Sequence, residues 1–125
     1  MEKLLQESNR IELKRELTDS LEKEVVAFLN YKDGGVIYIG VDGITHETIG
    51  IDNIDDLQLR IKDRFKHNIS PSIMGLFDVV VETVSHKNRL KITVASGSEK
   101  PYYLSKMGMS SKGCYVRIGS ASEPM

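Results

Sequence analysis

LEKEVVAFLNYKDGGVIYIGV, residues 21–41, changes periodicity halfway along, and that change decides the fold. In its first part Leu21, Val25, Phe28 and Leu29 recur at helical spacing, so an amphipathic helix is expected over residues 20–31. Thr18-Asp19-Ser20 supplies N-cap candidates ahead of it, and Asp19 with Glu22 three residues on resembles a capping box. Asp33-Gly34-Gly35 stops the helix, because glycine accepts the left-handed backbone of a helix end or tight turn. VIYIGV (36–41) then runs apolar without alternation, the pattern of a strand covered on both faces in the middle of a sheet. A helix before the glycines and a strand after them is the reverse of a phosphate-cradling loop. No GxxxxGK[ST] occurs, and no GxGxxG opens a helix.

Working outward, RIELKREL (10–17) places Ile11, Leu13 and Leu17 on one side, as in a short strand. Asp42-Gly43 opens a loop or hairpin, from which Thr48-Ile49-Gly50-Ile51 returns as a short strand. Asp52 or Asn53 caps a second helix with Ile54, Leu57, Ile61 and Phe65 inward, ended by His67-Asn68 and followed by Pro71. Residues 76–84 and 89–95 form two antiparallel strands around a Ser85-His86-Lys87-Asn88 turn. Leu90, Ile92 and Val94 alternate there with Lys91 and Thr93. Residues 102–104 and 114–118 finish the sheet. The order βαββαββββ predicts an α/β (α+β) fold, a mixed sheet of about six strands with two main helices packed on it.

A chain of 125 residues, 40% hydrophobic and 28% charged, is expected to make one globular domain with a real core. No apolar run approaches the roughly 20 residues that span a bilayer, so no membrane partner is expected. The opening MEKLLQESNR turns polar too early for a signal peptide. The single Cys114 excludes an internal disulfide and a four-cysteine zinc site, and a cytoplasmic location follows. His46, His67 and His86 are scattered without ligand spacing.

The net charge of −1 conceals an asymmetry. Residues 1–85 carry 10 Lys/Arg against 16 Asp/Glu, whereas residues 86–125 carry 7 against 2. The basic end holds Lys87, Arg89 and Lys91 around the hairpin turn, then Lys100, Lys106, Lys112 and Arg117. A few well-placed cations suffice for phosphate binding, and Tyr102, Tyr103 and Tyr115 offer stacking surfaces. Lys62, Arg64 and Lys66 share the second helix with Asp63 and read as a solvated face. Among the acids, Glu7, Glu12 and Asp42 would have to meet at one sheet edge to hold Mg²⁺ or Mn²⁺ and activate water. A five-residue offset puts Glu7 and Glu12 on opposite faces of a straight strand, so a bend near Ser8-Asn9 is required. Spacing alone favours Glu12 paired with a nearby base and Glu7 in solvent.

Taken as a set, the motifs are similar to those of a known family. ESNRIELK (7–14), VVAFLNYKDGGVIYIGVDG (25–43), IGID (49–52), PYYL (101–104) and GCYVRIGS (113–120) together resemble the Schlafen/AlbA-type DNA-binding domain of the divergent AAA group of bacterial regulators. The resemblance spans residues 7–120. It implies an AlbA-like mixed sheet, with residues 1–125 as one such domain at the N-terminus of a longer transcriptional regulator. Animal relatives cleave transfer RNA with three acidic residues, which correspond here to Glu7, Glu12 and Asp42. The chain departs from them in having Gly43 where a second acid often stands, a single cysteine and a single lobe. The reading is therefore a nucleic-acid-binding module without a cofactor, DNA ahead of RNA, working as a homo-oligomer. Lys14, Lys87, Arg89, Lys91, Lys112 and Arg117 would contact phosphates. The alternatives are a Mg²⁺- or Mn²⁺-dependent endoribonuclease using Glu7, Glu12 and Asp42, and an interaction domain that pairs an exposed sheet edge with a partner.

Overall fold

Ten elements follow one another in the computed structural model, which describes residues 5–125; the first four residues of the polar opening stretch lie outside them. Strand β1 (Ile11–Lys14) leads through helix α1 (Leu21–Asn30) to the parallel strand β2 (Gly35–Ile39). Helix α2 (Ile54–Asn68) is followed by the two-residue β3 (Ile69–Ser70), the hairpin β4 (Phe77–Val84) and β5 (Lys87–Val94), then β6 (Tyr103–Leu104), β7 (Tyr115–Ile118) and β8 (Ala121–Pro124). The main sheet has the order β1-β2-β5-β4, so β2 is central, as its unbroken apolar run requires.

The α+β class read from the sequence is the one observed, and the structure adds detail about how the strands are shared out. Four belong to the mixed sheet; β3 pairs with β6 and β7 with β8 as separate two-stranded units. The reason lies in α1. Around its whole circumference Leu21, Glu22, Glu24, Val25, Val26, Phe28, Leu29 and Asn30 are buried, so the helix needs cover beyond the sheet. The β7–β8 hairpin and the β6 region supply it. Asn30 fastens that second wall, its amide donating to the carbonyls of Tyr102 (2.9 Å) and Tyr115 (2.8 Å) while its Oδ1 accepts from Tyr102 N–H (2.7 Å). Thus α1 is an enclosed helix and not the half-wet one expected.

Other local expectations shift as well. The Thr48–Ile51 return strand reduces to a single bridge between Val41 and Thr48. Glu22 does not close a capping box; Ser20 is the N-cap without a side-chain bond, and Glu22 is held instead by Arg64 and Asn68 of α2. The β4–β5 turn is only Ser85-His86, both at positive φ (51° and 67°), which leaves Lys87 and Asn88 inside the strand. Leu17 packs into the main core, whereas Ile11 and Leu13 lie on the other side of the sheet.

That core fills the space between the helices and the inner sheet face. Val25 and Phe28 of α1, Leu57, Ile61 and Phe65 of α2, and Ile37, Ile39, Leu90 and Ile92 of the sheet meet there. Each fully buried side chain of this size contributes about 1.5–3 kcal/mol relative to exposure. Phe65 and Phe77 pack edge to face, with centroids 5.1 Å apart. The glycine pair at the α1–β2 junction is structural. Gly34 sits at φ +63°, and a Cβ on Gly35 would lie 2.2 Å from the Phe28 ring. Among the described residues no helix is long and apolar enough to cross a membrane.

Candidate nucleic-acid interface

Strand parity sorts the charged side chains onto two faces. Residues directly opposite in neighbouring strands share a face, and the register pairs Glu12 with Ile37 and Lys14 with Ile39, both in the core. Glu12 and Lys14 therefore project to the inner, helix-covered side. The register also pairs Lys91 with Tyr38 and with Val80, and Arg89 with Glu82, so Lys87, Arg89 and Lys91 stand on the outer face. The first-segment lysine and the hairpin cations lie on opposite sides of the sheet.

On the inner side the charges meet one another. Arg117 projects from β7 with its side chain wholly enclosed, donating to Glu12 (2.8 Å) and Glu24 (3.1 Å). Its other amino group donates to the carbonyls of Ser8 (3.0 Å) and Ile11 (3.3 Å). The guanidinium lies 4.8 Å from the Phe28 ring centroid. Ser122 donates to the same Glu24 oxygen (2.7 Å), and Lys14 Nζ stands 3.7 Å from Glu12 and 4.0 Å from Glu24. Burial lifts the Glu12 carboxyl above its ordinary value; the Arg117 hydrogen bond pulls the other way, and the negative charge of Glu7 adds to the rise. Arg117 is a correction to its reading as a phosphate contact: it does not reach the surface. Lys14 is drawn toward two carboxylates.

On the outer side Arg89 is also engaged. It donates to Glu82 (3.0 Å) and Thr48 (3.0 Å) and stacks 5.0 Å from the Tyr38 centroid. Its neighbours in the row are available to a ligand: Lys87 is exposed and Lys91 half-buried. Lys112 is exposed in the loop before β7, apart from this row. Of the six cations expected at phosphates, the structure brings three into one row, and one of those is already paired.

The three acids fit a metal poorly. Glu7 is exposed, with its Oε1 3.6 Å from where a Cβ on Gly43 would lie. The position facing Glu7 is thus residue 43, which has no side chain. Asp42 turns elsewhere, accepting from the Ile44 (2.7 Å) and Thr45 (2.9 Å) amides and pairing with Arg15. Those amide bonds, with Arg15 beside them, hold its carboxyl below the ordinary range. Among the described residues no three His, Cys, Asp or Glu side chains come together as a metal site. With Glu12 committed to Arg117 and Asp42 to its own loop, the donor set does not suit Mg²⁺ or Mn²⁺.

Among the partners that escaped the sequence reading are Glu82, Glu24 and Arg15. Glu24 had a visible signal, since it falls in the same stripe of α1 as Leu21, Val25 and Phe28 and so had to be buried beside a cation. Arg15 had none.

The comparisons with known proteins agree with this architecture. The solution NMR structure of the N-terminal domain of an ATP-dependent DNA helicase RecG-related protein from Nitrosomonas europaea is similar over 97% of this chain and 86% of that one, at 27% identity and a TM-score of 0.69. The crystal structure of the DIP2311 protein from Corynebacterium diphtheriae shares the fold over 94% of this chain, at 23% identity and a TM-score of 0.68, and the chain spans 22% of its length. No curated protein matches. The family whose pattern it matches is Schlafen, AlbA_2, over residues 7–125, and the chain belongs to that family.

Proposed function

We propose that this domain is a nucleic-acid-binding module of a cytoplasmic transcriptional regulator, DNA ahead of RNA, that holds the sugar-phosphate backbone on the outer face of β5. Family membership and the helicase-related name of the Nitrosomonas neighbour support a nucleic-acid role. The observation that carries the reading is the row Lys87, Arg89, Lys91 on the sheet face that the helices leave uncovered. Lys87 and Lys91 are four residues apart, about 13 Å along an extended strand. That length is enough to reach more than one phosphate of a strand, whose successive charges rise roughly 3.4 Å along the axis of B-DNA. Arg89 is already held by Glu82 and Tyr38, so the two lysines make the contacts.

The test is fluorescence anisotropy of labelled duplex DNA and of single-stranded RNA across a salt series. Two phosphate contacts give a slope of log affinity against log salt of about −2 on duplex DNA, since each neutralised phosphate contributes about −0.9. Lys87→Ala with Lys91→Ala should remove most of that slope. Absence of binding at low salt, or an unchanged slope in the double variant, would rule the reading out. Tighter binding to RNA would reassign the polynucleotide.

A further inference from the structure

The two edges of the main sheet are built differently. β1 is four residues long and closed off: the Ile11 carbonyl accepts from Ser8 N–H (3.0 Å) and from Arg117 (3.3 Å). β4 runs for eight residues in unbroken register with β5, from Phe77 opposite Val94 to Val84 opposite Lys87. It holds no proline, no lysine and no bulge; its only charges are Asp78 and Glu82, and among the described residues no strand pairs with its other side. Val80, 43% exposed, stands on its outer face.

The ladder fixes which backbone groups point outward. Ala95 N–H donates to the Leu76 carbonyl (2.8 Å), and antiparallel pairing alternates. Asp78, Val80, Glu82 and Val84 therefore bond to β5, while Phe77, Val79, Val81 and Thr83 project from the edge. The Gln58 side chain agrees with this parity, donating across the open side to the Val79 carbonyl at 3.3 Å.

We propose that β4 pairs antiparallel with β4 of a second copy of this chain, about a two-fold axis through Val81, to make one continuous eight-stranded sheet. Two copies of this edge match in length and in the parity of their projecting groups, and charge selects between the registers centred on Val80 and Val81. A two-fold axis perpendicular to a sheet keeps faces, so only residues of the same parity stand opposite each other. Centring on Val80 would set Asp78 against the partner's Glu82 twice, like charges directly opposed, which destabilises a sheet. Centring on Val81 sets Val80 against the partner's Glu82 and Asp78 against the partner's Val84, with no like charges opposed. Glu82 enters already neutralised by Arg89 at 3.0 Å. In this register Val81 meets itself and Val79 meets the partner's Thr83, the residues whose amides and carbonyls project. The pairing covers Val80 and stands independently of the nucleic-acid reading.

Amide exchange followed by NMR on the unaltered chain, at micromolar and millimolar concentrations beside sedimentation equilibrium, tests this. A dimer is expected in which the Val81 and Thr83 amides gain at least tenfold protection as concentration rises. A chain that stays monomeric, or a dimer whose β4 amides exchange as fast as before, overturns the proposal. Thr83→Pro removes an amide that projects from the open edge and bonds to nothing among the described residues and, if the amide spectrum shows it folded, should weaken the dimer at least tenfold. A folded Thr83→Pro chain that dimerises as well as the parent counts against it. Asp78→Asn, which removes the charge without adding reach, should leave the dimer within about twofold; severalfold tightening would mean that Asp78 directly faces Glu82 and would overturn the Val81 register.

Discussion

At the scale of single residues, Arg117 joins distant parts of the chain. Its guanidinium ties β7 to Glu12 of β1, to Glu24 of α1 and to the carbonyls of Ser8 and Ile11, with none of the side chain in contact with solvent. Removing one partner of a buried ionic group leaves the other charges desolvated without compensation, which typically costs about 3–5 kcal/mol. Arg117→Met should therefore lower unfolding free energy by about 3 kcal/mol or more in denaturant titration, Lys14 softening the loss by its nearness to both carboxylates. Adding Glu12→Leu and Glu24→Leu to that variant should restore part of the stability, because a hydrophobic replacement of the whole group removes the stranded charges. A triple variant less stable than the single one would contradict this account. In the sequence Arg117 looked like a surface cation, since a lone arginine on a short strand carries no mark of burial. The mark lay 93 positions away, in the glutamate set into the apolar stripe of α1.

Elements were legible where one periodicity held for a full length. The helix over 21–30, the central strand over 35–39, the inner face Leu57, Ile61 and Phe65 of α2, and the alternation along β5 all follow from apolar spacing. What spacing could not show was which short strands join which sheet, because two- and four-residue strands such as β6 and β7 carry too few positions to specify a partner. The turn between β4 and β5 lacked the Asn-Gly or Asp-Gly signal of a two-residue hairpin, yet Ser85 and His86 both adopt the positive φ that such a turn demands. That mismatch gives a prediction at this scale. Ser85→Asn with His86→Gly should stabilise the hairpin by about 0.5–1 kcal/mol, since both residues reach left-handed backbone at lower cost. For a domain of this size that is a rise of roughly 2–6 °C in melting temperature. A fall in melting temperature would show that the native side chains make a compensating contact.

For the whole molecule, the charge split between the first 85 residues and the last 40 was legible, but its use was not. The cationic end answers the acidic part within the fold through its two arginines: Arg117 meets Glu12 and Glu24, and Arg89 meets Glu82, while the five lysines of that end make no ion pair among the described residues. The same internal pairing gives the fold a pH dependence with two opposed parts. Glu12 has its carboxyl raised above 4.5 by burial, so across the window above that value the folded chain binds more protons than the unfolded one. Its contribution to stability is therefore lost as pH rises through the folded value. Glu22 is the reverse case: burial opposes its ionisation, but hydrogen bonds from Arg64 and Asn68 outweigh it and hold the carboxyl below 4.5. Its contribution is fully present above that value and is lost as pH falls through the depressed one. Melting curves of Glu12→Gln and Glu22→Gln beside the parent, from acid to neutral pH, separate the two. As pH rises, the difference should move in favour of the Glu12→Gln variant and against the Glu22→Gln variant. Two differences that drift in the same direction would mean that one of these carboxylates sits in an environment opposite in sign to the one described.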